Sequence, residues 1–271
     1  MASMQEALDS LSDKSIRHIV SISGGKDSTA LALYIRQSYP QIPAEYVFCD
    51  TGCELPETYE YLERLEALLG VEVQRLNALD DLKVARKPGR NPFDIYLNEL
   101  YGGFLPNPRS RWCTRVLKIQ PFERFVGDTH AFSYIGIRGD EDREGYQSKK
   151  PPVISERPNI LPVYPFKDAE MTLEDIKRIL TESGIGIPGY YRWRSRSGCY
   201  FCFYQQVGEW QNLKEVHPDL FEKAMGYERS SVGDRGYTWV DGRPLLRIAE
   251  LPEREEIPAP DLAEGCAVCH L

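Results

Sequence analysis

The first half of the chain alternates short apolar runs with helical patterns of apolar residues. The first run covers residues 17–23 and ends in Ser-Gly-Gly, and the second, Ala44 to Cys49, stops at Asp50-Thr51-Gly52. A helix with one apolar face is predicted from Pro56, and Val71 to Leu76 forms a third run. Strands and helices that alternate at this spacing are typical of βαβ units around a parallel sheet.

The second half of the chain has a different pattern. Phe132 to Ile137 predicts a buried strand, and Thr172 to Asp175 resembles a capping box that opens a helix to about Ser183. Beyond Gly184 the periodicity weakens, because glycine, arginine, cysteine and aromatic residues dominate. Gly208 to Glu228 is again helical in pattern. We therefore expect an appendage of loops and helices after the sheet, and not a second sheet.

These elements predict two parts of the chain. Residues 1–184 are expected to form an α/β domain, a twisted parallel sheet with helices on both faces. Residues 185–271 are expected to form a small helical region that carries cysteines and ends in an extended acidic tail. The tail is predicted from three prolines between Pro252 and Pro260, and from six acidic residues against one arginine between Glu250 and Glu264.

The composition is that of an ordinary globular protein. Of the 271 residues, 42% are hydrophobic and 27% are charged, and no run of 18 apolar residues is present. The N-terminus lacks the apolar core of a secretory signal. We therefore expect a cytoplasmic protein without membrane association. Because the cytoplasm keeps thiols reduced, the seven cysteines indicate metal or sulfur chemistry and not a disulfide framework.

Charge is unevenly distributed along the chain. The formal net charge of −8 argues against general binding of polyanions. From residue 83 to residue 124, however, nine basic residues against three acidic ones give a local charge of +6. The basic residues are Lys83, Arg86, Lys87, Arg90, Arg109, Arg111, Arg115, Lys118 and Arg124. This basic stretch is either a solvated face or a surface that receives an anionic ligand.

The loop after the first predicted strand has the chemistry of a phosphate site. Its residues are Ser23, Gly24, Gly25, Lys26, Asp27 and Ser28. Glycines allow the backbone to approach phosphates, and the start of the following helix favours an anion. Lys26 supplies positive charge, the serine hydroxyls donate hydrogen bonds, and Asp27 is a candidate for positioning Mg²⁺. We expect the loop to be exposed, so that the charge of Lys26 serves only the ligand.

Two Cys-x-x-Cys pairs, Cys199 with Cys202 and Cys266 with Cys269, suit either zinc or an iron–sulfur cluster. Aromatic residues interleave with the first pair and are expected to shield it from water. Together with Arg192, Arg194 and Arg196, the same aromatic residues are alternatively placed to stack on nucleic-acid bases. Cys49 and Cys53 flank a predicted strand end and are not expected to be ligands.

The Ser23–Ser28 hexapeptide between a strand and a helix resembles the signature of the PP-loop ATP pyrophosphatase superfamily. Three further motifs are similar to its phosphoadenosine phosphosulfate (PAPS) reductase-like branch. They are Trp112-Cys113-Thr114 with Leu117-Lys118, Gly136-Ile137-Arg138 with Asp140-Glu141, and Gly198-Cys199-Tyr200-Phe201-Cys202. The resemblance covers residues 19–202, and it implies that Asp50, Thr51, Gly52 and Gly136 lie around a bound nucleotide. It also implies a catalytic role for Lys26, Asp27 and Arg138.

For the cysteines, the resemblance implies a [4Fe–4S] cluster bound by Cys113, Cys199 and Cys202, with a fourth ligand from Cys266 or Cys269. One alternative is a structural zinc held by the two Cys-x-x-Cys pairs, which leaves Cys113 as a free thiol. The other is that the cysteines bind no metal. Reductases proper usually end in Glu-Cys-Gly-Leu/Ile-His, whereas this chain ends in Glu-Gly-Cys-Ala-Val-Cys-His-Leu.

Intact Lys26 and Asp27 make the chain more similar to the ATP-cleaving members, and most similar to the ATP pyrophosphatases of bacterial DNA phosphorothioation. That resemblance implies cleavage of ATP to AMP and pyrophosphate with Mg²⁺, a DNA phosphate as acceptor and a cysteine desulfurase as sulfur donor. Three alternatives remain open: a reductase of adenylylated sulfate, a transfer-RNA thiolating enzyme, and a non-catalytic cluster-bearing module. A homodimer is one option for the oligomeric state.

Overall fold

Five parallel strands form one sheet in the order β3-β2-β1-β4-β5. The computed structural model describes residues 2–80, 91–141, 155–230 and 236–252. The strands are β1 (Arg17–Ile22), β2 (Ala44–Asp50), β3 (Gln74–Asn77), β4 (Ala131–Tyr134) and β5 (Ile160–Val163). The predicted parallel sheet is therefore confirmed. Sequence patterns missed β5, a four-residue edge strand that contains Pro162, and they began β3 too early.

Helices connect the strands and surround the sheet. Those of the first part are α1 (Met4–Asp9), α2 (Lys26–Ser38), α3 (Pro56–Leu69), α4 (Pro92–Ile95), α5 (Trp112–Thr114), α6 (Gln120–Val126), α7 (Pro165–Asp168) and α8 (Leu173–Glu182). Short 3₁₀ helices cover Ser10–Ser12 and Gly189–Arg192. Wider π-helical turns cover Tyr96–Leu100, after α4, and Arg115–Ile119, between α5 and α6. The capping box predicted at Thr172 is present, with Asp175 as its second member.

The sheet is buried on both faces. One face packs against a core that includes Leu31 of α2, Leu62 of α3 and Ile176 of α8. On the other face, Phe122 and Val126 of α6 pack with buried apolar residues of four strands, β1, β2, β4 and β5. Helices therefore cover both sides, as the sequence predicted, and near-continuous apolar strands are explained by this double burial.

After residue 184 the chain forms α9 (Val207–Val216), α10 (Pro218–Ser230) and α11 (Leu245–Ala249). The prediction of one helix over Gly208 to Glu228 is wrong, because the chain breaks at His217. Pro218 disfavours helical backbone at the residue before it, and His217 has φ −135° and ψ 71°. Among the described residues, no helix is long and apolar enough to cross a membrane.

An aromatic core holds these later helices. It includes Trp210 and Trp239 from beyond residue 184, and it also includes Phe93 and Trp112 from the preceding part. The predicted division at residue 184 stays a prediction, and the predicted acidic tail beyond residue 252 lies outside the described residues.

The strand order places the candidate site at one edge of the sheet. β1 lies between β2 and β4, so the connections leaving β1 and β4 turn in opposite directions. In open α/β sheets, ligands bind outside the carboxyl ends of the strands at such a reversal. The segment after Ile22, the segment after Asp50 and the segment after Tyr134 all leave from this edge.

Candidate functional site

The Ser23–Ser28 loop joins β1 to the 13-residue helix α2. Gly24 has φ +73°, a left-handed conformation that glycine adopts without strain. A Cβ at Gly24 would lie 2.5 Å from Cγ2 of Thr58, so α3 also requires glycine there. Gly25 precedes the first residue of α2 as its N-cap, without a capping side chain. The first N–H groups of α2 therefore lie directly after this glycine turn.

Two serine hydroxyls brace the loop from inside. Ser28 Oγ accepts a hydrogen bond from the backbone N–H of Ser23 at 3.0 Å, and it lies 2.9 Å from Ser23 Oγ. Ser23 Oγ also accepts from the N–H of Gly25 at 3.3 Å. The loop is thus preorganised, with two hydroxyls and the start of a helix converging on one position.

Lys26, Asp27 and Arg138 form a buried ionic cluster behind the loop. The Lys26 ammonium donates to one Asp27 oxygen at 2.9 Å, and the Arg138 guanidinium donates to the other at 2.9 Å. Arg138 also donates to Asp140 at 2.9 Å. Burial alone would lower the pKa of Arg138, but the Asp27, Glu141 and Asp140 carboxylates offset burial and raise the pKa above its usual value.

The expectation that Lys26 is exposed is wrong, because its side chain has 0% exposure. Tyr191 places its ring 5.3 Å from the Lys26 ammonium, and Tyr190 donates its hydroxyl to the Gly24 carbonyl at 2.7 Å. Residues from beyond position 184 therefore cover the loop. Both Asp27 oxygens are engaged by cations, so a Mg²⁺ ion at Asp27 would share or displace one of these contacts.

Gly136 and the Asp50–Gly52 segment lie at the same sheet edge. A Cβ at Gly136 would lie 3.1 Å from the Asp27 carbonyl oxygen, so glycine lets the chain after β4 pass close to α2. Asp50 accepts from the N–H of Gly52 and from the Tyr59 hydroxyl, each at 2.8 Å. The Thr51 hydroxyl contacts a cysteine instead and lies 3.3 Å from the Cys199 sulfur.

Cys113, Cys199 and Cys202 line one pocket, which we call the cysteine pocket. Leu117, Phe201 and Phe203 are apolar residues of its wall. The other lining residues are Thr51, Pro106, Thr114, Lys118 and Gly198. Cys113 lies in α5, directly before the π-helical turn that carries Lys118. Such turns are frequent at functional sites. The fold thus brings together three of the five cysteines expected to bind metal.

Burial and the neighbouring Cys202 thiol raise the pKa of Cys113 to about 12. Burial, followed by the Glu54 carboxylate, raises the pKa of Cys199 well above its usual value. Without a metal these thiols are therefore neutral, and a bound metal ion would deprotonate them. Cysteine thiolates are a ligand type that binds iron–sulfur clusters. The described residues hold no group of three His, Cys, Asp or Glu arranged to bind one metal ion.

The arginines near the cysteine pocket have different surroundings. Arg194 has 0% exposure and donates to the carbonyls of Gly198 and Cys199 at 3.0 and 2.8 Å. Arg194 therefore holds the turn that carries Cys199, and the suggestion that nearby aromatic residues stack on bases stays a prediction. Arg111 and Arg196 lie 5.6 and 5.9 Å from the centre of the Tyr204 ring.

Some predicted site residues lie outside the described part of the chain. They are Cys266 and Cys269 of the second cysteine pair, and Lys83, Arg86, Lys87 and Arg90 of the basic stretch. Within the described part, Arg109 and Arg115 are exposed, whereas Arg111 and Lys118 are half-buried.

Sequence reasoning missed four residues at the site, namely Glu54, Tyr190, Tyr191 and Ser197. Glu54 is buried and accepts hydrogen bonds from the Thr51 hydroxyl at 2.9 Å and from the Cys199 thiol at 3.7 Å. Ser197 donates to Ser23 at 3.4 Å. A carboxylate amid apolar residues was a signal for Glu54, but nothing local distinguishes Ser197 from its neighbour Ser195.

The chain is 26% identical over 212 residues to an uncharacterised protein of Methanocaldococcus jannaschii, covering 76% of this chain and 40% of that protein. A PAPS reductase from Candida auris in complex with phosphate has a TM-score of 0.47 at 15% identity, covering 69% of this chain and 82% of that one. A U34-tRNA thiolase from Methanococcus maripaludis with its [4Fe–4S] cluster has a TM-score of 0.40 at 14% identity, covering 83% and 78%.

The chain spans about half the length of the first curated relatives it matches. The phosphoadenosine phosphosulfate reductase domain matches residues 17–214, which include the loop, the Asp50–Gly52 segment, Arg138 and the cysteine pocket. The match covers most of the chain, and the chain therefore belongs to the phosphoadenosine phosphosulfate reductase domain family.

Proposed function

We propose that this chain cleaves ATP to AMP and pyrophosphate in order to activate an acceptor oxygen for sulfur transfer. The observation that carries the proposal is the Ser23–Ser28 loop, where two hydroxyls and the first N–H groups of α2 converge beside the Lys26–Asp27–Arg138 cluster. A helix start with free N–H groups and nearby positive charge favours phosphate.

The residues divide the chemistry between them. The loop holds the β- and γ-phosphates of ATP with Mg²⁺, and pyrophosphate leaves into it. Arg138 is fixed by Asp27 and Asp140, so its charge is preorganised beside the loop. Fixed charge of this kind stabilises the negative charge that develops when an acceptor oxygen attacks the α-phosphate. The resulting adenylylated acceptor then loses AMP to a sulfur nucleophile.

The cysteine pocket is the proposed site of sulfur handling. Cys113, Cys199 and Cys202 would hold a [4Fe–4S] cluster, with Cys266 or Cys269 as the fourth ligand. A cluster of this kind would supply an iron site that binds or delivers sulfur. The presence of Cys113 in the same pocket as the pair supports the cluster over a zinc held by the two Cys-x-x-Cys pairs.

A nucleic-acid phosphate, most specifically a DNA backbone phosphate, is the proposed acceptor, with a cysteine desulfurase as the sulfur donor. Exposed Arg109 and Arg115 flank the segment that carries Cys113, and Arg111 and Arg196 lie beside Tyr204. Basic residues near the pocket offset the net charge of −8 locally. Transfer RNA is an alternative acceptor that would be activated by the same ATP chemistry. In a non-catalytic role, the chain would bind ATP without cleaving it.

Family membership itself favours a second candidate, reduction of an adenylylated sulfate. One analysis of reaction products distinguishes the two functions. Purified protein with Mg·ATP, sulfide and DNA should yield AMP and pyrophosphate, and the same protein with PAPS and thioredoxin should release no sulfite. The reverse pair of results would establish the reductase and exclude the proposed ATP chemistry.

A further inference from the structure

The segment 189–199 contacts both halves of the candidate site, and we call it the bridge segment. At its start, Tyr190 donates to the Gly24 carbonyl and Tyr191 covers the Lys26 ammonium. At its end, the Cys199 sulfur lies 3.3 Å from the Thr51 hydroxyl. The bridge segment therefore links the phosphate loop to the cysteine pocket within eleven residues.

Ser197 of this segment lies against the Ser23–Ser28 loop at the start of α2. A Cβ at Gly25 would lie 2.6 Å from Ser197 Oγ, so glycine at the N-cap of α2 makes room for this hydroxyl. Ser197 Oγ also lies 3.4 Å from Ser23 Oγ, and its side chain is 3% exposed. A third hydroxyl thus joins those of Ser23 and Ser28 at the start of α2.

The position of Ser197 is fixed by the turn that follows it. Gly198 has φ +139°, which side chains rarely permit, and the buried Arg194 guanidinium binds the carbonyls of Gly198 and Cys199. A rigid turn therefore joins Ser197 to Cys199, two residues further on.

We infer that Ser197 is a phosphate-binding residue supplied by the later part of the chain, and that it ties occupancy of the Ser23–Ser28 loop to the position of Cys199. The inference rests on the proposed phosphate role of the loop. In the bound state, the Ser197 hydroxyl donates to a phosphate oxygen in place of Ser23. The phosphate site is then complete only when the bridge segment is docked on α2.

Calorimetric titration of the full chain with inorganic pyrophosphate and Mg²⁺ tests this role without requiring catalysis. Ser197→Ala should weaken pyrophosphate binding about tenfold, the effect of losing one hydrogen bond to a charged group. Ser197→Thr keeps the hydroxyl and should bind more tightly than Ser197→Ala. Ser195→Ala is the matched control, because the Ser195 hydroxyl donates to Glu209 at 2.7 Å, and its affinity should stay at the wild-type value.

Thermal unfolding midpoints of each variant identify any loss of the fold. If Ser197→Ala lowers the midpoint, Ser197→Cys provides the comparison, since a thiol is a weak donor of similar size, and it too should weaken binding. Wild-type affinity in folded Ser197→Ala or Ser197→Cys would overturn the inference and leave the ATP chemistry standing. Failure of the wild type to bind either pyrophosphate or ATP would overturn both.

Discussion

The phosphate loop and the cysteine pocket are assembled in opposite ways. Six consecutive residues make the loop, and its charged side chains are already paired with each other and with Arg138. The cysteine pocket instead draws on Thr51, on the segment around Cys113 and on the turn at Cys199. Burial raises the pKa of Cys113 and of Cys199, so these two thiols are neutral without a metal. The loop is already ordered by its own hydrogen bonds and ion pairs, whereas the pocket would need a bound metal to ionise its cysteines.

The largest expected effect concerns the pocket. Cys113→Ser should remove the visible absorbance of anaerobically purified protein, together with sulfur transfer, because three of the proposed cluster ligands line that pocket. Cys49→Ser is the matched control, since the Cys49 thiol donates to the Lys118 carbonyl at 3.4 Å and does not line the pocket. Absorbance and iron content measure the outcome. A colourless wild type with one zinc per chain, retained in Cys113→Ser, would contradict the cluster.

A second prediction concerns the paired charges behind the loop. Asp27→Ala leaves the buried Lys26 and Arg138 charges without their shared carboxylate, and we expect a loss of about 3–5 kcal/mol in the free energy of unfolding. Lys26→Met should cost less, because Asp27 keeps Arg138 as a partner. Urea unfolding of both variants gives the comparison. Equal stability of Asp27→Ala and the wild type would show that the cluster is not structural.

A third prediction sharpens the role of the basic stretch. Arg109 and Arg115 are exposed, so reversing both to glutamate should weaken DNA binding about tenfold or more and flatten its salt dependence. Lys177→Glu with Arg178→Glu on α8 makes the same change in net charge at a different surface and serves as the control. Binding titrations at several salt concentrations measure both. Equal losses in the two double variants would mean that only net charge matters.

The last prediction is a pH dependence of stability at Cys49, whose thiol donates to the Lys118 carbonyl. Burial raises the pKa of Cys49 from 9.0 to about 12. A raised folded-state pKa contributes stability below the unfolded value, and that stability is lost as the pH rises from about 9 to about 12. The wild type should therefore lose more stability than Cys49→Ala over this window, by up to about 1.4 kcal/mol per pH unit. Unfolding free energies of both proteins at pH 8, 9.5 and 11 measure this difference. If the two free energies change equally with pH, ionisation of Cys49 is not the cause.

The same contrast explains what the sequence predicts. Strand-loop-helix spacing identifies the sheet and the loop because both are local patterns of apolar residues, glycine and serine. The burial of Lys26 was not predictable, since it depends on Tyr190 and Tyr191, more than 150 residues later in the chain. The helix break at His217 is predictable from Pro218, because proline disfavours helical backbone at the residue before it. Contacts such as Thr51 with Cys199 follow only from the packed fold.

We propose that the Ser23–Ser28 loop supports reversible cleavage between the α- and β-phosphates of ATP. Exchange of labelled pyrophosphate into ATP measures that step directly, before any sulfur is transferred. We predict Mg²⁺-dependent exchange that requires the acceptor and is lost in Lys26→Met, whose fold is checked by its unfolding midpoint. The proposal would be contradicted by a wild-type protein that reduces PAPS to sulfite and shows no exchange with any nucleic-acid acceptor.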